Sequence, residues 1–326
     1  MSEQNSSTTS PPPSNCDPTF TAGSVTLVLD APRVSMTTPQ LPMNFRSMQK
    51  ILNISGANAS GSAQYSPLQL QAMLDQKVVT TPLVIVDLRQ EPHGFLLIEH
   101  ALNGDAEIAV GWFAERDWLN VAKGLPSVLA DEVSRLTEAS QTSELIVCDV
   151  TSKSTTEDGI CTANPYTVQP TGAYTEQEVV QKVHNVNYLR LPSTDHCRPR
   201  DSEVDQFVAF EATLAPNTWL HFHCRAGDGR TTTFMAMHDI IHNAPSDTLS
   251  TILTRQGPPP AGIRGVDLAH ASTNKDIFDY PFSAERVTFM QNFYNYVCEA
   301  KPEGFKLTWS DWVVQGLTQA PLAASA

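Results

Sequence analysis

Residues 221–234, HFHCRAGDGRTTTF, decide the fold, because they join a buried apolar strand to a helix through a short glycine-containing loop. The helix is predicted to begin at Arg230, and Gly227 and Gly229 permit a tight turn before it. In such a loop the backbone N–H groups point inward, and the helix N-terminus adds positive potential. The stretch therefore predicts an anion-binding loop between a strand and a helix.

Cys224 opens this loop, and Arg230 follows six residues later. The loop amides favour the thiolate of Cys224, and the Arg230 guanidinium can bind two phosphate oxygens. This arrangement suits attack of the thiolate on phosphorus, with Thr231 donating to the sulfur when it leaves. The alternative is a buried structural cysteine. The complete string His-Cys-x-x-Gly-x-Gly-Arg-Thr, set between a strand and a helix, disfavours that alternative.

The composition limits the partners of the protein. The chain has 326 residues and a net charge of −14, which disfavours nucleic acid and anionic membranes as partners. A local group of arginines and lysines can still bind a small anion. No apolar run approaches the roughly 20 residues of a membrane span. Residues 1–20 show no secretory signal and are predicted to form a disordered tail, which leaves a cytoplasmic location or export as an effector.

Strands that alternate with helices predict an α/β domain with a mainly parallel central sheet flanked by helices. The strands are expected at 24–30, 83–88, 144–151, 186–192 and 218–224, and the helices at 66–76, 175–184, 202–214, 230–244 and 283–300. One or two further helices are expected within 117–139, the second capped near Ser127. The β-rich segments near 24–45 and 144–172 interrupt the alternation and are expected to form one small subdomain. The six cysteines form no CxxC pair. This favours a protein that works in a reducing compartment and holds no structural zinc.

Several segments together resemble the bacterial protein-tyrosine-phosphatase-like inositol polyphosphate phosphatases, the cysteine phytases. They are LPMNFRSM (41–48), IVDLRQEPHGF (85–95), GWFAERDW (111–118), LRLPSTDHCRP (189–199), WLHFHCRAGDGRTT (219–232) and QNFYNYV (291–297). The resemblance implies a tyrosine-phosphatase-like core over 21–300 that carries a small partial β-barrel. Residues 301–326 would then be a C-terminal extension.

Hydrolysis of a phosphate ester needs an acid that protonates the leaving oxygen. The residues alone leave four candidates open: Asp195, Asp201, Asp205 and Asp228. The resemblance implies Asp195, in a loop after a strand, as the general acid and then as the base that activates water.

The resemblance also implies a set of substrate contacts. Arg46 would bind phosphate, His196 would contact substrate beside the acid, and Lys275 and Arg286 would be basic contacts. The loop residues Arg225, Ala226, Gly227, Asp228 and Gly229 would surround the phosphate, and His223 would support the loop. Asp87 is expected either to border the pocket, together with Arg89, or to organise loops through hydrogen bonds to arginine.

Two loop residues depart from the family pattern, which commonly has an acidic residue after the cysteine and an apolar one between the glycines. Arg225 is expected to draw a polyanion through charge complementarity. Asp228 would repel one, so it is expected to point away or to pair with a nearby arginine.

The leading hypothesis is a metal-independent phosphomonoesterase that acts on myo-inositol hexakisphosphate and lower inositol phosphates through a phosphocysteine intermediate. No cofactor and no catalytic metal are expected, because the loop amides and Arg230 supply the positive potential. The alternatives are a protein tyrosine phosphatase acting as a bacterial effector and a catalytically inactive module that binds phosphorylated ligands. The intact Cys224, Arg230 and Asp195 argue against the inactive module.

Overall fold

The computed structural model describes residues 25–49, 58–100, 104–114, 117–153, 160–257, 263–273 and 279–319. The predicted disordered tail (1–20) and the predicted contact Lys275 lie outside these ranges. Within them, no helix is long and apolar enough to cross a membrane.

The described strands and helices have the following bounds. The strands are β1 Thr26–Leu29, β2 Arg46–Ser47, β3 Ala59–Ser62, β4 Leu83–Arg89, β5 His93–His100, β6 Gly104–Phe113, β7 Leu145–Lys153, β8 Ile160–Val168, β9 Pro170–Tyr174, β10 Val186–Ser193 and β11 Trp219–His223. The helices are α1 Pro67–Asp75, α2 Leu125–Gln141, α3 Glu176–Val180, α4 Asp201–Glu211, α5 Gly229–Asn243, α6 Leu249–Gln256, α7 Asp279–Ala300 and α8 Trp309–Gln319.

The first sheet has five strands in the order β10-β4-β11-β3-β2. The first four are parallel to their neighbours, and only the two-residue β2 is antiparallel to β3. Every position of β4 is buried, as expected for a parallel strand with both faces covered. The prediction of an α/β fold with a mainly parallel sheet is therefore confirmed.

The capping signals in the sequence place two helix starts correctly. Ser66 and Gln69 exchange side-chain and backbone hydrogen bonds at the start of α1, and Thr175 and Glu178 do the same at the start of α3. The helix α3 is shorter than expected, because it ends at Val180. Where one or two helices were expected within 117–139, the structure has one α-helix, α2, which ends at Gln141. It starts at Leu125 after Gly124, whereas the sequence predicted a cap near Ser127.

The second sheet has six strands in the order β8-β7-β1-β6-β5-β9. Its neighbours are antiparallel except for β1 and β7. The sheet joins strands from both predicted β-rich segments with a hairpin, β5–β6, that the sequence analysis did not predict. The hairpin pairs His100 with Gly104. The dipeptide Asn103-Gly104 is a hairpin signal in the sequence.

The largest apolar cluster packs helices α4, α5, α7 and α8 against the first sheet. Phe207 lies edge-on to both Phe222 of β11 and Phe234 of α5, which joins three of these elements. Trp309 of α8 packs against Phe289 and donates its indole N–H to Asp201 at 2.8 Å. Part of the predicted C-terminal extension is therefore packed on the core.

Candidate active site

Three neighbouring parallel strands bring the candidate residues together. Cys224 follows β11 directly, Glu91 follows β4 by two residues, and Asp195 follows β10 by two residues. Because β10, β4 and β11 are adjacent and parallel, their carboxyl ends meet at one edge of the sheet. The sheet topology thus accounts for a site assembled from distant parts of the chain.

The loop of residues 224–230, called the Cys224 loop below, packs tightly against the end of β3. Gly227 has a φ of +70°, and a Cβ there would lie 2.3 Å from the backbone nitrogen of Ala63. Glycine is therefore required both for conformation and for space. The Cys224 side chain is buried, and the Thr231 hydroxyl donates to its Sγ at 3.1 Å. This is the contact expected of a group that stabilises the sulfur.

Arg230 is buried and fixed by a carboxylate from the neighbouring strand end. Its two terminal nitrogens donate to the two oxygens of Glu91 at 2.7 and 3.0 Å. Its Nε lies 3.2 Å from Oδ1 of Asp195. Burial alone would lower the pKa of Arg230, but Glu91 and then Asp195 raise the pKa well above its usual value. The guanidinium is therefore charged and held beside the predicted nucleophile and the predicted acid.

Asp195 lies at the open side of this group, with 21% of its side chain exposed. Its backbone carbonyl accepts a hydrogen bond from the Trp118 indole at 2.9 Å. The His196 ring lies 3.3 Å from Oδ2 of Asp195 and is 38% exposed. Both side chains can therefore reach a ligand over the Cys224 loop.

The other candidates for the acid have different neighbours. Asp201 accepts from the indole of Trp309, and Asp205 accepts from the backbone N–H of Ser310, so both bond to α8. Asp195 is the candidate that contacts Arg230.

Arg46 lies behind the Cys224 loop rather than in front of it. Its guanidinium donates to the carbonyl of Gly227 at 2.8 Å, to the hydroxyl of Thr232 at 2.9 Å and to the carbonyl of Asn44 at 3.1 Å. The side chain is buried, and burial lowers its pKa to about 10. Its donors hold oxygens of the loop and of its neighbours in place, and the expectation that Arg46 binds phosphate stays a prediction.

Asp87 belongs to a buried network of charged groups. It is buried, accepts from the Tyr188 hydroxyl at 2.6 Å and lies 2.8 Å from the Arg190 guanidinium. Arg89 is buried too and pairs with Asp30 and with Glu91. These contacts favour the expectation that Asp87 organises loops through hydrogen bonds to arginine. Arg89 is part of the same buried network.

His223 supports the loop from within this network. Its Nε2 lies 2.7 Å from Oε1 of Glu176, and its ring meets Tyr65 edge-on. Tyr65 also donates to Glu176 at 2.6 Å. A role of His223 in supporting the loop stays a prediction, and these contacts are consistent with it.

Arg225 turns away from the phosphate side of the loop. Its guanidinium pairs with Asp30 at 2.7 Å and with Asp117 at 2.9 Å, and it lies over the ring of Phe113. Two carboxylates thus offset its charge. Its contacts connect the Cys224 loop to the ends of β1 and β6, and the expectation that Arg225 draws a polyanion stays a prediction.

Asp228 is half-buried, and burial raises its pKa against the opposing effect of Arg264, Arg46 and Arg286. Arg286 lies over Gly229, since a Cβ on Gly229 would come within 2.6 Å of its Nη1. Positive charge from these arginines therefore lies near Asp228, and the expectation that Asp228 points away or pairs with a nearby arginine stays a prediction.

Ala226 is held through its backbone. Its carbonyl accepts from the side-chain amide of Asn44 at 2.7 Å, which also accepts from the backbone N–H of Arg264 at 3.0 Å. Asn44 therefore ties the Cys224 loop to a segment that carries one of the nearby arginines.

Sequence reasoning missed Glu91, Asp117 and Trp118, although all three lie in segments quoted for the resemblance. For Glu91 a signal existed, because its position just past a buried parallel strand places it at the edge where Cys224 also lies. For Asp117 and Trp118 no local pattern indicates their partners, which are 108 and 77 residues away.

The chain is similar to known proteins over most of its length. A family model for PTP-like phytases, described by inositol hexakisphosphate, matches residues 86–242. The PTP-like myo-inositol phosphatase of Mitsuokella multacida, solved in complex with myo-inositol-(1,3,4,5)-tetrakisphosphate, is 33% identical with a TM-score of 0.72, over 89% of this chain and 49% of that one. A PTP-like phytase structure from Bdellovibrio bacteriovorus is 32% identical with a TM-score of 0.66, over 90% of this chain and 96% of that one.

The effector protein hopD2 of Pseudomonas syringae pv. tomato is 30% identical over 234 residues, which are 71% of this chain and 46% of that protein. This chain therefore spans about half the length of the Pseudomonas and Mitsuokella proteins. The Bdellovibrio structure, in contrast, is matched over almost its whole length at 32% identity. Together with the family model and the α/β fold, this match shows that the chain belongs to the PTP-like phytase family.

Proposed function

We propose that this protein is a cysteine-dependent phosphomonoesterase that hydrolyses myo-inositol hexakisphosphate and lower inositol phosphates. The observation that carries the proposal is the convergence of Cys224, Arg230, Thr231 and Asp195 at the carboxyl edge of the first sheet, with Arg230 3.2 Å from Asp195 and Thr231 3.1 Å from Cys224. In this proposal the second sheet is the partial β-barrel that the family resemblance implies.

The first step transfers the phosphoryl group to the enzyme. The Cys224 thiolate attacks phosphorus, so the S–P bond forms as the P–O bond to inositol breaks. Asp195 gives its proton to the leaving alkoxide, which is a poor leaving group without protonation. The backbone N–H groups of the Cys224 loop and the Arg230 guanidinium stabilise the negative charge on the equatorial oxygens.

The second step releases phosphate. The Asp195 carboxylate accepts a proton from water, and the water oxygen attacks phosphorus as the S–P bond breaks. Thr231 donates a hydrogen bond to the departing Cys224 sulfur, as it does in the structure. Cys224 returns to the thiolate, and Asp195 is protonated for the next substrate.

The substrate class is supported by the family match and by the ligand of the Mitsuokella relative, an inositol tetrakisphosphate. Arg264 and Arg286 act on Asp228 of the Cys224 loop, and His196 lies beside Asp195. When the Cys224 loop binds one phosphate of the substrate, these groups offer positive charge and hydrogen bonds to the neighbouring phosphates of the same molecule. The similarity to hopD2 favours export as an effector over a purely cytoplasmic location.

The test is phosphate release from inositol hexakisphosphate and from a phosphotyrosine peptide, in EDTA, by the wild type and by Cys224→Ser and Asp195→Asn. Cys298→Ser is a matched control, because Cys298 is another free cysteine that packs beside the core on α7. We expect Cys224→Ser to lose activity and Asp195→Asn to lose about 100-fold in kcat on the inositol phosphate, with Cys298→Ser unchanged.

Preference for the peptide would move the function to tyrosine phosphatase. Activity on neither substrate would favour a binding module. Full activity of Cys224→Ser would exclude the mechanism.

A further inference from the structure

Three possible metal ligands meet where the C-terminal ends of α4 and α5 pack together. Glu211 is the last residue of α4, and His238 and His242 lie one turn apart on α5. Oε1 of Glu211 is 2.6 Å from Nδ1 of His238, and Oε2 is 3.1 Å from Nε2 of His242. The two rings are 4.4 Å apart between centroids. One carboxylate thus contacts both imidazoles from the facing helix.

The chemistry of this trio fits a borderline divalent cation. Two imidazoles and a carboxylate form a common ligand set for zinc, and histidines at i and i+4 lie on one face of a helix. The ligand atoms of Glu211, His238 and His242 all lie within 4.8 Å of one another. The negative end of the α5 dipole lies here as well, which favours a cation.

The surroundings leave room for an ion and a water ligand. A cavity of about 240 Å³ adjoins the trio and is lined by Glu211, His242, Lys301 and apolar side chains. The Lys301 ammonium donates to the backbone carbonyls of His242 and Ala244, both at 2.9 Å. Two of its three protons are therefore directed at the end of the helix.

The second group of possible ligands within the described residues is less suitable. Asp87, His93 and Glu176 are all fully buried. Asp87 is also paired with Arg190 at 2.8 Å. An ion would have no path to it and would meet a guanidinium there.

We propose that Glu211, His238 and His242 bind one divalent transition-metal ion that links α4 to α5. On binding, the ion replaces the hydrogens that now join the imidazoles to Glu211, and any proton on a coordinating nitrogen is released to solvent. The site lies about 12 Å along α5 from Arg230 at 1.5 Å per residue. Its role is to stabilise the helix pair and not to take part in phosphoryl transfer.

This inference departs from the sequence expectation of no structural metal. That expectation came from the absence of close Cys/His clusters along the chain. Glu211 precedes His238 by 27 residues, so only the packing of α4 on α5 reveals the trio.

The test is titration of the full chain with zinc, followed by calorimetry, and with cobalt(II), followed by visible absorption. The protein carries Cys224→Ser, so that the thiolate is not a competing ligand, and no phosphate substrate is present. We expect one saturable site and a rise of the melting temperature with zinc. His242→Ala, at a largely exposed residue, should weaken binding at least roughly tenfold and remove the thermal shift.

His184→Ala is the matched control, because His184 is an exposed histidine that belongs neither to the trio nor to the lining of its cavity, and it should leave the titration unchanged. Glu211→Gln keeps the shape of the side chain and removes its charge, so it should weaken binding as well. Zinc binding that is equal in the parent and in His242→Ala would overturn the proposal. So would the lack of binding at about a tenfold excess of zinc over protein.

Discussion

Glu91 is the residue that most directly fixes the Arg230 guanidinium. It accepts from both terminal nitrogens of Arg230, and its Oε1 also accepts from Nε of Arg89 at 2.8 Å. A fork of two parallel hydrogen bonds sets the plane of a guanidinium as well as its position. Glu91 is therefore a positioning residue: it acts on the substrate through Arg230.

Glu91→Gln should lower kcat on inositol hexakisphosphate by about 100-fold, because one acceptor and the charge are lost and Arg230 can shift by about 1 Å. KM should change less, since other basic groups also bind the polyanion. Steady-state kinetics give this split.

Glu132→Gln is the matched control, since Glu132 is a buried carboxylate of the same network that contacts Arg190 instead of Arg230. It should cost stability and leave kcat within a few fold. Equal losses of kcat in the two variants would show that Glu91 acts only through stability.

The sequence indicated which residue types form the candidate site, but it did not indicate which way their side chains point. The arginines at 46 and 225 were both expected to face the substrate, yet one holds the back of the loop and the other pairs with Asp30 and Asp117. The long side chain of an arginine points toward the carboxylate or carbonyl with which it pairs. For Arg225 these partners are 195 and 108 residues away, so no local pattern could have shown them.

At the scale of elements, the segment between β6 and α2 connects two parts of the candidate site. Asp117 pairs with Arg225 of the Cys224 loop, and the next residue, Trp118, donates to the carbonyl of Asp195. The Trp118 ring also packs edge-on against Phe282 of α7. This segment therefore sets the distance between the predicted acid and the predicted nucleophile.

Trp118→Phe should keep the ring packing and remove the hydrogen bond to Asp195. We expect kcat on inositol hexakisphosphate to fall about tenfold, a part of the contribution of a general acid. Activity on p-nitrophenyl phosphate should fall much less, because that leaving group departs without protonation.

The control for this variant is Trp312→Phe, which removes an indole hydrogen bond to Glu299 on the helix pair α7 and α8. An equal loss on both substrates in Trp118→Phe would contradict the positioning role.

Elements were predictable where a local signal was strong. Ser66 and Thr175 gave capped helix starts, and the apolar β4 and β11 were recognised as buried strands. The hairpin β5–β6 was not predicted, although Asn103-Gly104 is a hairpin signal in the sequence. The pairing of β1 with both β6 and β7 depends on contacts between distant parts of the chain. The alternation of apolar and polar residues within a strand does not indicate such partners.

At the scale of the whole molecule, buried titratable groups between the two sheets make stability depend on pH. Burial would lower the pKa of His93, but carboxylates, chiefly Asp87, raise the pKa to about 9. Its charge stabilises the fold fully below the unfolded pKa of about 6.5, and this contribution is lost as pH rises toward 9. Burial lowers the pKa of His221 to about 3, so its contribution is lost as pH falls from about 6.5 toward 3.

The free energy of unfolding should therefore be highest near pH 6.5 and fall on both sides, by at most about 1.4 kcal/mol per pH unit for each histidine. Urea unfolding over a pH series measures it. His93→Gln should flatten the alkaline side alone. Stability that rises from pH 6.5 to pH 9 in the wild type would contradict this assignment.

The ion pairs of Arg225 also limit how the gene can recombine with those of its relatives. Asp30 and Asp117 lie within the first 120 residues of the chain, whereas Arg225 is encoded far downstream. A hybrid that keeps residues 1–120 but takes a Cys224 loop with an acidic residue after the cysteine would bring three carboxylates together. Unpaired buried charges cost several kcal/mol, so few such hybrids would fold. Asp30, Asp117 and Arg225 are therefore expected to be inherited together.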